Sequence, residues 1–361
     1  MKTNLSFIKT ARDKIQLVNQ LLLPHKLEYV TCHNGNDVAK AIKDMVVRGA
    51  PAIGISAAYG MYLTAWEMSK KNKKLSADVF KKQKQVLDAA RPTAVNLAWA
   101  LERLQRLLQP LAPARRAEAA WAEADAIAEE DIAVNRAIGE HGLALLRAIA
   151  ARKPGPVRVL THCNAGWLAT VGYGTATAPL YLAQEAGLPL HVWVDETRPR
   201  NQGASLTAWE LGRAGVPHAL VADNAGGHLM QHGQVDIVFV GCDRVSARGD
   251  VCNKIGTYLK ALAAHDNGVP FYVAMPLSTL DRRVHDGLAE IPIEERSARE
   301  VTHLAGRDAR GEVVEVQISP EGTPAANPAF DVTPARLVSG LITERGIVAA
   351  REDAIAEIAH G

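Results

Sequence analysis

The sequence lacks an excess of charge of either sign. Its 41 basic residues face 39 acidic ones, for a net charge of +2. A general nucleic-acid binder carries surplus Lys and Arg on one face, so that class is excluded, although a local basic pocket for one phosphate is not. Cysteine is scarce as well. Cys32, Cys163, Cys242 and Cys252 are too few for a disulfide scaffold, and none are paired as C-x-x-C. There is no repeat of fixed period and no low-complexity linker. The opening Met1-Lys2-Thr3-Asn4-Leu5-Ser6 is not followed by an apolar signal core. A cytoplasmic protein with reduced thiols is the resulting expectation. What the chain does have is ordinary globular composition, 48% hydrophobic and 22% charged, which excludes disorder as its main state. Its 361 residues suggest two domains, at roughly 100 to 200 residues each.

Two uncharged runs, residues 49–66 and 164–184, are long enough to cross a membrane. Gly, Pro, Ser or Thr interrupts both, and both read as buried loop-plus-helix segments. The first half of the chain is mostly helical in pattern. Residues 37–45 have helical spacing, and Leu97, Leu101, Leu104 and Leu108 form one stripe over residues 96–108. Residues 114–151, rich in Ala, Glu and Arg, predict one long helix or two. Lys153-Pro154-Gly155-Pro156 stops any helix, which places the domain boundary near residue 150.

Beyond Pro156, short apolar runs alternate with helical stretches. Strands are predicted at residues 157–160, 190–194, 218–221, 237–240 and 271–274. Helices are predicted at 175–185, 204–213, 227–231 and 253–264. The fold class is therefore α/β, with a mainly helical domain over residues 1–150 and a parallel-sheet domain over 151–361. Polar residues collect just past the strand ends: Thr161-His162-Cys163-Asn164, Asp195-Glu196-Thr197-Arg198, Asp223-Asn224 and Asp243-Arg244. In a doubly wound sheet those ends share one edge, where ligands bind.

Several motifs compete for a function. Gly172-Tyr173-Gly174-Thr175-Ala176-Thr177 begins like a dinucleotide fingerprint, but Thr177 replaces the third glycine and the run lies far from the preceding strand. Cys163, Cys242, Cys252 and His162 match no common zinc spacing. Arg48-Gly49-Ala50-Pro51-Ala52-Ile53-Gly54 sets a cation beside small residues at a helix start, which suits either an anion cradle or a tight turn. Arg91-Pro92-Thr93-Ala94-Val95-Asn96 repeats the theme. Asp243, after an apolar strand, reads as a general acid of raised pKa, a helix cap or a partner of Arg244. Asn253-Lys254 at an expected helix start is a candidate anion site. Cys163 at a strand end is either a stabilised thiolate or inert packing.

Together these segments resemble the methylthioribose-1-phosphate isomerases, a family related to the alpha, beta and delta subunits of translation initiation factor 2B. Val47 to Gly54, Arg91 to Leu97 and Thr161-His162-Cys163-Asn164-Ala165-Gly166 carry the resemblance. So do Asp195 to Gly203, Gly241-Cys242-Asp243-Arg244 and Asn253-Lys254-Ile255-Gly256-Thr257-Tyr258. The resemblance implies Cys163 and Asp243 as the catalytic pair. It implies Arg48, Gly49, Ala50, Arg91, Gln202, Asn253 and Lys254 as substrate-binding positions. A Rossmann-like C-terminal domain, a homodimer and a reaction without metal or nucleotide are implied too. Trp167, Cys242 and Cys252 depart from the family pattern. Relatives with other roles act on ribose 1,5-bisphosphate or serve as regulatory subunits, and 5-deoxyribose 1-phosphate is a close alternative substrate. The apolar Met61, Tyr62 and Trp99 favour an unphosphorylated 5-position. The sequence accommodates both a proton moving through an enolate and a direct hydride transfer.

Overall fold

A computed structural model describes residues 6–71, 76–91 and 95–360. The chain forms two compact units, which part inside a long helix between Arg136 and Ala137, where the sequence pattern had suggested residue 150. The first unit comprises Met1–Arg136 with the loop Gly166–Gly174, and the second Ala137–Ala165 with Thr175–Gly361.

The first unit opens with an antiparallel sheet of three short strands, Ile8–Ala11, Lys14–Val18 and Tyr29–Cys32. Helices follow at Gly35–Lys43, Ala50–Lys70, Ala77–Ala90 and Val95–Leu108, and then the start of Arg116–Ala150. Asn34 caps the first of these, its side chain accepting the N–H groups of Asn36 and Asp37. Ala50–Lys70 is the central helix, with every residue from 52 to 65 buried. A helix apolar on all sides belongs in a core. Leu97, Leu101, Leu104 and Leu108 bury as their spacing demands. No helix among the described residues is long and apolar enough to cross a membrane.

The second unit is built on a seven-stranded sheet. In chain order its parallel strands are Val157–His162, Leu190–Asp195, His218–Val221, Ile237–Val240, Phe271–Ala274 and Gly340–Thr343. Their spatial order is 3-2-1-4-5-6, and Gly346–Val348 adds an antiparallel edge. That is the order of the Rossmann fold. The central strand Ile237–Val240 is buried throughout, as expected for a sheet covered on both faces. Leu160, Val238, Val240, Phe271, Val273 and Leu341 form its core together with Ala261 and Ala264 of the helix Thr257–Asp266.

Two departures from the sequence reading matter for function. Asn253 and Lys254 lie on a strand, Val251–Lys254, not at a helix start. That strand pairs with Phe330–Thr333, a segment distant in sequence, and belongs to a second sheet with Arg244–Ser246 and Leu280–Asp281. The helix begins only at Thr257, after Gly256 turns the chain with φ +99°. Met61 and Tyr62 are fully buried, so they build the core of the first unit and not a pocket wall. Tyr62 packs edge-on against Trp121 and donates its hydroxyl to the Arg12 carbonyl at 2.6 Å. Trp99 is exposed, with the Arg103 guanidinium over its ring.

Candidate active site

In the 3-2-1-4-5-6 order, the strands Val157–His162 and Ile237–Val240 are neighbours, and the winding reverses between them. Ligands of doubly wound sheets bind outside the carboxyl ends at such a reversal. Cys163 leaves the first of these strands and Asp243 follows the second.

Cys163 is buried and takes a left-handed backbone conformation, φ +64°. A non-glycine residue there is strained and persists only when its surroundings fix it. The surroundings are two threonines. The Cys163 N–H donates to Thr197 Oγ1 at 2.7 Å, and its carbonyl accepts from the Thr207 hydroxyl at 2.6 Å. Its Sγ donates to Gln202 Oε1 at 3.5 Å. Gln202 precedes a π-helical turn, Gly203–Thr207, that leads into the helix Ala208–Arg213. Beneath lies a buried polar network. Asn164 Nδ2 donates to Glu210 at 3.0 Å and to Thr207 Oγ1 at 3.2 Å, and the Tyr181 hydroxyl donates to Glu210 at 2.9 Å. Burial, reinforced by the Glu210 carboxylate, pushes the Tyr181 hydroxyl well above its ordinary pKa.

Asp243 is exposed. Its backbone N–H donates to the Cys252 carbonyl at 2.9 Å, which fastens it to the Val251–Lys254 strand. Burial and then the Asp243 carboxylate push the Cys252 thiol up to about 12, and the same two causes raise Cys242. Both thiols are therefore protonated at neutral pH. Arg244 reaches Asp281, with 3.7 Å between Nη1 and Oδ2. Asn253 Nδ2 donates to Thr257 Oγ1 at 3.0 Å. The Lys254 ammonium donates to the Ala329 carbonyl at 2.8 Å and lies 4.4 Å from the centre of the Phe330 ring.

In the first unit, Arg48 is half-buried immediately before Gly49. Gly49 has φ +92°, and a side chain there would meet the Ala169 backbone at 2.6 Å, so only glycine fits. Ala50 starts the central helix, and the Ala52 N–H donates to the Ala169 carbonyl at 3.1 Å. Arg91 follows the helix Ala77–Ala90 and brings Nη1 to 2.8 Å from Met45 Sδ. The next motif residues, Pro92, Thr93 and Ala94, lie outside the described residues.

One group of potential metal ligands occurs among the described residues: His162, Asp195 and Asp223. It does not fit a metal ion. The Lys260 ammonium sits 3.2 Å from Asp195 Oδ2, and both Asp223 oxygens accept backbone N–H groups, from Thr197 and Arg198. A resident cation already faces the carboxylate that would have to bind the metal. Sequence reasoning named Cys163, Gln202 and Asp243 but missed Thr207, Glu210, Tyr181 and Lys260. These sit on helices whose sequence carries no sign of facing a strand end.

The chain belongs to the initiation factor 2 subunit family, whose model matches residues 46–350. Within that family it is similar to proteins named methylthioribose-1-phosphate isomerase. It is 62% identical to the one from Rhizobium meliloti over 335 residues, covering 92% of this chain and 90% of that protein. It is 60% identical to the one from Cereibacter sphaeroides over 343 residues, covering 95% and 92%. Among solved structures, the 5-methylthioribose 1-phosphate isomerase of Pyrococcus horikoshii matches with a TM-score of 0.85 and 38% identity, covering 98% of this chain and 96% of that one. The eIF-2B delta subunit described from A. fulgidus matches with a TM-score of 0.82 and 37% identity, covering 99% and 100%.

Proposed function

We propose that this protein is an aldose–ketose isomerase that converts 5-methylthio-D-ribose 1-phosphate to 5-methylthio-D-ribulose 1-phosphate, a step of methionine salvage. The observation that carries the reading is the 62% identity, over nearly the whole chain, to a protein named for that reaction. With Met61 and Tyr62 buried in a core, the preference for a 5-methylthio substrate rests on the relatives alone.

The chemistry requires two kinds of group. The anomeric oxygen of the substrate carries the phosphate, so the ring cannot open to a free aldehyde without help. A proton must reach the ring oxygen, and hydrogen must then move from C2 to C1 as the C2 hydroxyl becomes a ketone. Asp243, exposed at its strand end, is assigned the proton transfers to and from the sugar oxygens. Cys163 is assigned the place beside the migrating hydrogen, where its thiol acts as base or sets a dry surrounding. Gln202, in contact with Cys163, is assigned to the sugar. Arg48, Gly49, Ala50, Arg91, Asn253 and Lys254 are assigned to the phosphate and hydroxyls, since guanidinium, ammonium and helix-start N–H groups all suit an anion. The assignment includes a cytoplasmic homodimer, and full activity is expected in the presence of chelators.

The test is a side-by-side screen of the purified protein with 5-methylthioribose 1-phosphate, 5-deoxyribose 1-phosphate and ribose 1,5-bisphosphate. Ketose formation should be fastest with the first. Preference for either of the other two would reassign the substrate, and turnover of none would favour a regulatory binding role.

A further inference from the structure

A cluster of deeply buried ionisable groups in the second unit takes no part in the chemistry above. His162, the last residue of its strand, is 1% exposed, Asp195 is 0% and Lys260 is 3%. His162 Nδ1 lies 3.2 Å from Asp195 Oδ2, and its Nε2 lies 2.8 Å from the Ile255 carbonyl oxygen. A carbonyl oxygen only accepts, so Nε2 carries a hydrogen. Asp195 Oδ2 also faces the Lys260 ammonium at 3.2 Å, and an ammonium only donates. That oxygen is therefore an acceptor, and Nδ1 carries a hydrogen too. A ring with both nitrogens protonated is an imidazolium.

The charges balance. Asp331 accepts the N–H groups of Gly256 and Tyr258 at 2.7 and 3.2 Å. Burial pushes its carboxyl up, against those two N–H groups and the nearby His162 and Lys260. Two cations and two carboxylates thus face one another, the condition under which buried charge is tolerated. Gly256 passes so close to the imidazole that a Cβ would lie 2.9 Å from His162 Cε1.

We infer that His162, held as an imidazolium by Asp195 and Lys260, is a positioning residue of the isomerase reaction, fixing Cys163 relative to the turn that follows Asn253 and Lys254. The linkage is continuous. His162 precedes Cys163 in the chain and bonds Ile255, which follows Lys254. Its partner Asp195 accepts the Thr197 hydroxyl through its own carbonyl at 3.0 Å, and Thr197 Oγ1 accepts the Cys163 N–H. One ring thus ties three strand ends that the proposed chemistry needs in register.

The inference rests on the isomerase reading, and the experiment separates the two. Turnover of 5-methylthioribose 1-phosphate by the parent protein is measured first, and its absence overturns the isomerase reading and the positioning role together. Nitrogen NMR of histidine-labelled protein at neutral pH then reads His162 directly. Two protonated ring nitrogens are expected, and a neutral ring with one bare nitrogen overturns the assignment whatever the activity. His162→Gln keeps a donor for one of the two acceptors but not both. Its kcat should fall roughly 10²-fold, the effect of a misplacement of about 1 Å, while KM moves only a few-fold. Should that variant not fold, Lys260→Met carries the same comparison. Parental kcat in the folded variant refutes the positioning role.

Discussion

Replacing Thr197 by valine tests whether hydrogen bonds hold the strained backbone at Cys163. Valine keeps the branched shape and removes one hydroxyl. That hydroxyl accepts the Cys163 N–H at 2.7 Å and donates to the Asp195 carbonyl at 3.0 Å. Thr197 and Asp195 are fully buried and Cys163 is 8% exposed, so neither orphaned backbone group gains ready access to water. A buried polar group left without its partner costs about 1–3 kcal/mol, so two give a destabilisation of roughly 2–6 kcal/mol. The upper figure is a large share of a domain's stability. Urea unfolding should show the lowered midpoint, and kcat should fall with it because Cys163 is freed to leave φ +64°. Thr197→Ser retains the hydroxyl and should recover most of both losses. A valine variant within about 1 kcal/mol of the parent and equally active would show that packing, not hydrogen bonding, fixes Cys163.

Asp243→Asn should fold like the parent, because the side chain is exposed and the backbone bond to Cys252 persists, yet lose on the order of 10²-fold or more in kcat. Gly49→Ala should lower the melting temperature: φ +92° is costly for alanine by roughly 1–2 kcal/mol, before the contact with Ala169 is counted. Burial pushes the Cys32 and Cys252 thiols up to about 12. Mass spectrometry after alkylation of the folded protein should find both unmodified, with labelling at Cys163 blocked by substrate; a Cys163→Ser variant with parental turnover would remove Cys163 from the chemistry. Burial also raises the Asp131 carboxyl to about 7, against the Val171 N–H at 2.8 Å. The unfolded chain loses that proton near pH 4, so stability from this group declines as pH rises from about 4 to about 7. Urea midpoints across that range should show the decline in the parent and not in Asp131→Asn.

The parallel sheet was legible because inner strands such as Ile237–Val240 are buried on both faces and read as continuous apolar runs, while the edge strand His218–Val221, with Leu220 51% exposed, keeps only a short apolar run. His218–Val221, Ile237–Val240 and Phe271–Ala274 fall where the pattern puts them. The helix after the first strand begins at Ala178, later than its composition suggests, with Pro179 in its first turn. The three-stranded sheet of the first unit has no comparable apolar runs, since Lys9, Thr10, Lys14, Gln16 and Thr31 interrupt its strands. Asn253 and Lys254 look like helix-start residues by type. Their strand is defined by pairing with Phe330–Thr333, which no local pattern announces. Cys163, Gln202 and Asp243 were found through motif resemblance. The support beneath them was not, since nothing in the sequence around Lys260 indicates that its ammonium reaches Asp195.

Strain in the second unit gathers where the candidate chemistry lies. Cys163, Thr197 and Asn201 have φ of +64°, +67° and +53°, and all three follow the ends of two neighbouring strands. None is a glycine, so each conformation must be imposed by its surroundings. The imposing contacts run in series. Asp223 accepts the Thr197 N–H, Thr197 accepts the Cys163 N–H, and Thr207 grips the Cys163 carbonyl while it also accepts from Asn164. A chain of this kind ties the Cys163 backbone to the neighbouring strand ends. Asp243 sits differently: its backbone N–H donates to the Cys252 carbonyl, and the residue is exposed. The two candidate groups therefore suit different tasks. A group that exchanges protons with sugar oxygens gains from solvent contact and some mobility. A group that must sit beside a migrating hydrogen needs a dry, fixed position, and the strained, doubly pinned backbone of Cys163 supplies it.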